Sequence, residues 1–264
     1  EMHMKIYCIA NQKGGIGKTT TATNLASALA HKGFKTLLID ADKQCNSTDT
    51  FRAKTKDTAT LYDVILDYDH PLDINEAIQH TSIGNIVAAD PLLKGAESIL
   101  RNDAGEEYFR LKDALEKLTG YDYVVIDTAP ADDKLLKNCL IAADEVIVPI
   151  TADRYGVQGL ADLHRTIQQV QKRSNPKLKI AGLLMVKYKE RLKLTQETEY
   201  VLKQAAFKLQ TKVFDTKIRE STGTQMAQAE RTTVVNKYFA NEIRTSTTAE
   251  DYIRFTEELM KGDK

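Results

Sequence analysis

The segment NQKGGIGKTT, residues 11–20, constrains this chain more than any other. It stands between an apolar run, KIYCIA, and a stretch with helical spacing, TTTATNLASALAHKG, in which Leu25, Leu29 and Ala30 recur and Gly33 is the expected stop. Strand, glycine loop, helix is the context of a phosphate-binding loop. Gly14, Gly15 and Gly17 permit close backbone approach, so successive N–H groups can surround phosphate oxygens at the positive end of the following helix. Lys18 is expected to reach the β- and γ-phosphates and Thr19 to ligate Mg²⁺ through its hydroxyl, with Ile16 and Thr20 completing a nucleotide-binding stretch over residues 14–20. That task needs one lysine. Lys13, ahead of the glycines, is surplus to it.

Further along, KTLLID reads as a second buried strand, NIVAA as a short one, and YDYVVIDTAP, DEVIVPI and KIAGLLMV as three more, with a short strand near KVF. TLYDVIL and DINEAIQH read as short helices. A longer helix is expected over 95–118 on the spacing of Ile99, Leu111, Leu115 and Leu118, with Gly105 blurring its start, and others around 156–173, 195–210, 233–240 and 248–261. Buried strands alternating with helices predict an α/β fold, a three-layer sandwich whose mainly parallel twisted sheet is flanked by helices, as in P-loop NTPases. No repeat and no linker rich in Pro, Gly or Ser divides residues 5–264, so one domain is expected, with residues 1–4 an expression remnant or disordered start.

Carboxylates end two of these strands. VVID places Asp127 at the C-terminal end of a buried run, where it can orient a water on Mg²⁺. Asp40 and Asp42 lie at the end of another, in LLIDADKQCNST, where a carboxylate can orient the attacking water; turn formation is the alternative role.

Composition removes other chemistries. Cys8, Cys45 and Cys139 form no CxxC pair and the five histidines form no HExxH, which argues against a disulfide scaffold, a thiolate-bound cluster or a zinc enzyme. No run of about 18 apolar residues and no secretory leader is present, so a cytoplasmic protein is expected. Charge balances at 37 basic and 37 acidic residues, but residues 171–220 hold 13 Lys/Arg against 5 Asp/Glu. A segregated basic field can attract a polyanion in a neutral chain; a solvated surface is the plainer reading.

With these segments in view, the chain resembles the deviant Walker A ATPases of the ParA/MinD group, and specifically the ParA/Soj partition proteins. KGGIGKT, with its extra Lys13, LLIDADKQCNST, NIVAADPLLKGAE and IDTAPADDKLLKNCLIAADEVIVPITADRYGVQGL carry the likeness over roughly residues 5–261. The resemblance implies ATP and Mg²⁺ as cofactors, Lys13, Lys18 and Asp42 as catalytic residues, and Thr19, Asp40 and Asp127 at the metal, the carboxylates through water. It implies that Lys13 crosses an ATP-dependent homodimer to the partner's phosphates. Lys43 and Cys45 replace a proline and a glycine usual in the family, which puts the shape of that loop in question.

The family's partners would be nonspecific DNA and a ParB-like centromere-binding protein that stimulates hydrolysis, with the ATP-bound form on the nucleoid and plasmid or chromosome partition as the outcome. Arg191 matches the family's DNA-binding arginine, with Lys187, Lys189, Lys193, Lys217, Arg219 and Arg244 as further candidates for phosphate contact. A MinD-like or protein-positioning ATPase on a membrane or protein scaffold is the alternative. The final segment TTAEDYIRFTEELMKGDK carries acidic residues among its apolar ones, so packing against the domain is expected in place of a membrane contact.

Overall fold

The computed structural model describes residues 4–100, 104–131, 133–151, 159–189, 196–243 and 246–262. A seven-stranded sheet organises them: β1 (Lys5–Ile9), β2 (Thr36–Ala41), β3 (Ile78–His80), β4 (Asn85–Val87), β5 (Tyr123–Thr128), β6 (Glu145–Thr151) and β7 (Lys179–Val186), in the spatial order β3-β4-β2-β5-β1-β6-β7. Every pairing is parallel except that of β3 with β4. The connecting helices are α1 (Lys18–His31), α2 (Asn46–Thr50), α3 (Leu61–Ile65), α4 (Ala96–Ile99), α5 (Arg110–Glu116), α6 (Lys134–Ala142), α7 (Leu160–Arg173), α8 (Gln196–Lys208), α9 (Thr222–Ala229), α10 (Val234–Phe239) and α11 (Thr247–Gly262).

Alternation along the strands builds the three layers. Tyr7 and Ile9 of β1 join Leu38, Val125 and Ile147 on one face, under Leu25 and Leu29 of α1, Val235 of α10 and Phe255 of α11. Cys8 turns to the other face with Ile39, Ile126 and Val148, under Leu111 of α5, Leu140 of α6, Ile167 of α7 and Leu202 of α8. With both faces covered, the strands are continuous apolar runs, each large side chain contributing about 1.5–3 kcal/mol. The topology also fixes where a ligand can sit. β2, β5 and β1 are neighbours, so their C-terminal ends deliver the loops that begin at Ala10, Asp42 and Ala129 to one sheet edge, where the strand order reverses.

Several expected elements take another form. DINEAIQH is a 3-10 turn over Ile74–Ala77 followed by β3, because its second half pairs with β4 and that ladder overrides local preference. The long helix expected over 95–118 is broken: α4 stops at Ile99, Gly105 takes φ +101, a 3-10 turn spans Glu106–Tyr108, and α5 starts at Arg110. Asn138 of α6 makes the break tolerable. Its side chain donates to Glu107 O at 2.9 Å and accepts from Leu111 N at 3.2 Å, satisfying groups that a continuous helix would have paired. Near KVF there is only an isolated bridge between Val213 and Leu183, and α9 had no counterpart in the sequence reading.

α11 lies on α1, with Tyr252, Phe255 and Leu259 buried, the Tyr252 hydroxyl 3.2 Å from Thr21 Oγ1 and the Phe255 ring edge-on to Phe214. Its apolar face is therefore used inside the fold. Among the described residues no helix is long and apolar enough to cross a membrane.

Candidate functional site

The loop after β1 is braced before it turns. Asn11, 2% exposed, donates from Nδ2 to Pro149 O at 2.8 Å and accepts from Lys13 N at 2.9 Å, tying the loop to β6. Gly15 and Gly17 then take φ +68 and +87, a left-handed pair that residues with a Cβ would enter at a cost of about 1–2 kcal/mol each. Gly17 caps α1, its carbonyl accepting from Thr21 N at 2.9 Å. The helix thus opens at Lys18 with its first N–H groups directed at the loop, the arrangement that binds an anion.

Lys18 is 6% exposed and donates from Nζ to the main-chain carbonyl of Lys13 at 2.9 Å. Burial lowers its pKa, and the nearby Asp127 and Asp42 partly restore it. An ammonium held inside by a carbonyl and two carboxylates is placed to meet an anion without crossing solvent. Lys13 and Lys18 are therefore joined through the main chain of one and the side chain of the other.

Three carboxylates converge beside it. Asp40 and Asp127 are register partners on β2 and β5, both fully buried. Asp40 is saturated by protein donors: Oδ2 accepts from Thr48 N at 2.8 Å and Thr48 Oγ1 at 2.7 Å, and Oδ1 from Asp42 N at 3.1 Å. Asp127 is different. Ser47 Oγ donates to its Oδ2 at 2.7 Å, while Oδ1 is buried with no hydrogen-bond partner. Desolvation raises both pKa values, and Asp40 is raised further by the charge on Asp127; the hydroxyls of Ser47 and Thr19 pull Asp127 down. Asp42, 6% exposed, accepts from Gln44 N at 2.9 Å and faces the cleft.

The hydroxyls that organise these carboxylates, Ser47 and Thr48, went unnoticed in the sequence. Their signal was the NST triplet after the aspartates, a pattern common to any polar turn. They stand on α2, whose first turn is set by Cys45 at φ +56, ψ +32. Cys45 thus holds a glycine-type conformation while carrying a Cβ.

Residues 15–20 of the loop, with Asp42, Gln44 and Asn46, form one wall of a cleft of about 460 Å³, and Asp40 and Asp127 lie buried outside its lining. The opposite wall comes from Lys187 after β7, from Ile218 to Ser221, and from Gln225, Gln228 and Tyr252 of α9 and α11. Pattern reading could not reach this wall, whose members are polar residues of ordinary type gathered from separate elements. Gln228 Nε2 lies 3.5 Å from Thr20 Oγ1 across the cleft.

An unpartnered buried carboxylate oxygen next to a threonine hydroxyl suits a hard divalent cation. Among the described residues no group of three or more His, Cys, Asp or Glu could hold a metal by itself. A Mg²⁺ ion therefore fits here when phosphate oxygens supply the rest of its shell.

Among the described residues, the basic side chains read from the sequence meet different partners. Lys187 donates to Gly15 O at 2.7 Å, on the phosphate loop. Lys189 pairs with Glu220 at 3.3 Å on the surface, and the Lys217 ammonium lies 5.2 Å from the Tyr188 ring centroid. Arg219 grips the buried Asp251, its Nε and Nη2 each donating at 2.9 Å to the two carboxylate oxygens, with its own main-chain N–H adding a third bond at 2.9 Å. Arg191, Lys193 and Arg244 lie outside the described residues.

Comparison with known proteins agrees with this architecture. The family model AAA_31, described as an AAA domain, matches residues 4–180. The chain is similar to the chromosome partitioning protein ParA of Myxococcus xanthus, 41% identical over 197 residues that cover 73% of this chain and 68% of that one. It is also similar to the chromosome-partitioning ATPase Soj of Thermus thermophilus, 35% identical over 257 residues, or 96% and 94% of the two chains. Among solved structures, a Cyanothece McdA–ATP complex matches with a TM-score of 0.83 at 25% identity, covering 99% of this chain and 98% of the other. Mycobacterium smegmatis cobyrinic acid a,c-diamide synthase with bound ADP and magnesium matches at 0.80 and 30% identity, covering 98% and 94%. The phosphate loop with its second lysine, the paired strand-end carboxylates and these relatives place the chain in the ParA/Soj family of partition ATPases.

Proposed function

We propose that this chain is an ATP-driven partition switch that hydrolyses ATP to ADP and phosphate, dimerises with ATP, and binds nonspecific DNA in the dimeric state. The observation that carries the reading is the joined pair at the loop: the main chain of Lys13 holds the buried Lys18 ammonium through its carbonyl, at the mouth of the glycine turn. Residues Gly14 to Thr20 bind the polyphosphate through loop N–H groups and Lys18. Thr19 and Asp127 would hold Mg²⁺, the carboxylate through water, and Asp40 fixes the strand-end geometry behind them. When bound, the ion neutralises phosphate oxygens that face the attacking water. Asp42 orients that water from the rim of the cleft. Lys13 reaches the partner subunit's nucleotide, so that occupancy and dimerisation are linked.

Dimerisation doubles the basic surface, and many weak phosphate contacts become one attachment whose strength falls with salt. Arg191 and Lys193, with Lys189, Lys217 and Arg244, are proposed for that surface. A ParB-like protein would stimulate hydrolysis and release the chain from the nucleoid. The test is light-scattering mass in ADP, ATP and a nonhydrolysable analogue, with and without a nonspecific duplex across a salt series. An ATP-specific dimer with salt-sensitive DNA binding supports the reading. A dimer indifferent to DNA moves the assignment to a membrane- or scaffold-positioning ATPase.

A further inference from the structure

Lys187 directly follows β7 and takes φ +53, a left-handed conformation that costs a residue with a Cβ about 1 kcal/mol. The chain beyond it is pinned: Tyr188 N donates to Ile218 O at 2.9 Å and Glu220 N to Tyr188 O at 3.0 Å. The strained residue is held in place, and its side chain is thrown back over the sheet edge until Nζ meets Gly15 O at 2.7 Å. The strand end and the loop also approach at Gly17, where a Cβ would stand 3.5 Å from Val186 Cγ2. Lys189 meets a carboxylate, Glu220, whereas Lys187, an exposed residue on the rim of the cleft, places its ammonium on a neutral carbonyl of the loop. Hydrogen bonding to a carbonyl leaves the positive charge available to an anion beside it.

We propose that Lys187 is a cation of the nucleotide site, a third lysine beside Lys13 and Lys18 that binds the polyphosphate and clasps the loop, and that it is not part of a DNA face. The proposal rests on the ATP reading given above. A cation at the cleft acts on ligand charge, so its effect rises with the number of phosphates and falls with ionic strength. A purely structural clasp would affect all nucleotides alike.

The experiment is fluorescence titration with ATP, ADP and AMP, with Mg²⁺ present, at low and high salt, on the wild-type chain and on Lys187→Met, Lys187→Arg and Lys187→Asn. Asparagine tolerates the left-handed backbone and so separates charge from strain. We expect Met and Asn to weaken ATP binding by about tenfold at low salt, ADP binding by less and AMP binding hardly at all. The loss shrinks at high salt, and Arg restores most of the affinity. DNA affinity at saturating ATP stays at the wild-type level. Wild-type nucleotide affinities in both neutral variants, or an equal salt-independent loss on all three nucleotides, would overturn the assignment of Lys187. A wild-type chain that binds none of the three would instead overturn the ATP reading itself.

Discussion

Asp40 and Asp127 stand at the same register on adjacent parallel strands, fully buried, one saturated by protein donors and the other with a free oxygen. Two neighbouring buried carboxylates cost desolvation and mutual repulsion that the nearby Lys18 ammonium offsets only in part, since the pKa of Asp127 stays raised. The asymmetry of their hydrogen bonding says which does what. Asp40 holds the turn that carries Asp42, and Asp127 keeps one buried oxygen without a protein donor, which is the oxygen proposed above for the ion.

This arrangement has a signed pH dependence. Both folded pKa values are raised, so the pair's favourable contribution is complete at pH below the unfolded carboxylate range and is lost as pH rises through the folded values. Asp127→Asn keeps an acceptor for Ser47 and removes the charge. In nucleotide-free protein it should raise unfolding stability at pH 7 by about 1–2 kcal/mol, with the gain shrinking towards pH 4, while ATP turnover falls on the order of a hundredfold. Urea denaturation across a pH series, paired with a phosphate-release assay, reads both effects. Destabilisation at pH 7 would contradict this account.

Lys13→Ala removes a side chain but leaves the main-chain carbonyl that Lys18 uses. Monomeric nucleotide binding should therefore persist within about threefold, with ATP-dependent dimerisation lost. Sedimentation with ATP decides it: an unchanged dimer removes Lys13 from the interface.

Asp42→Ala should slow hydrolysis by on the order of a hundredfold and preserve the ATP-bound dimer, since the Asp42 carboxylate accepts from Gln44 N of its own turn and its bond to Asp40 comes from the main chain, which alanine keeps. Turnover at the wild-type rate would take Asp42 out of the chemistry. Loss of the turn bond costs about 1 kcal/mol of stability, which a melting curve separates from the kinetic effect.

Cys45→Gly relieves a left-handed cysteine at the start of α2. The expected gain is about 1 kcal/mol in urea denaturation, offset in part by the freer unfolded chain. Cys45→Val, with its branched Cβ, should move the midpoint the other way.

Arg219→Ala strips two of the donors from Asp251, a carboxylate 1% exposed that also pairs with Arg254. Stability should drop by about 2 kcal/mol, a loss that a solvated DNA-contacting arginine would not produce. Thermal unfolding without DNA is the discriminating measurement.

Sequence alone determined the layered fold and the phosphate-loop motif between its first strand and helix, because both depend on short-range pattern. KIYCIA, KTLLID and YVVID are apolar runs that can only be buried strands, and GGIGKT between strand and helix leaves little freedom about what it holds. Tertiary structure decided what depends on distant partners. Asn138 allows the helix expected over 95–118 to break, β4 turns the end of DINEAIQH into an edge strand, and Ser47 and Thr48 give two similar aspartates different roles. Lys187 and Arg219 belong to the same basic stretch, yet one reaches the phosphate loop and the other a buried carboxylate. Charge and spacing are properties of the chain in one dimension, while the partner of an ammonium or a guanidinium is chosen by whichever element the fold brings within about 3 Å of it.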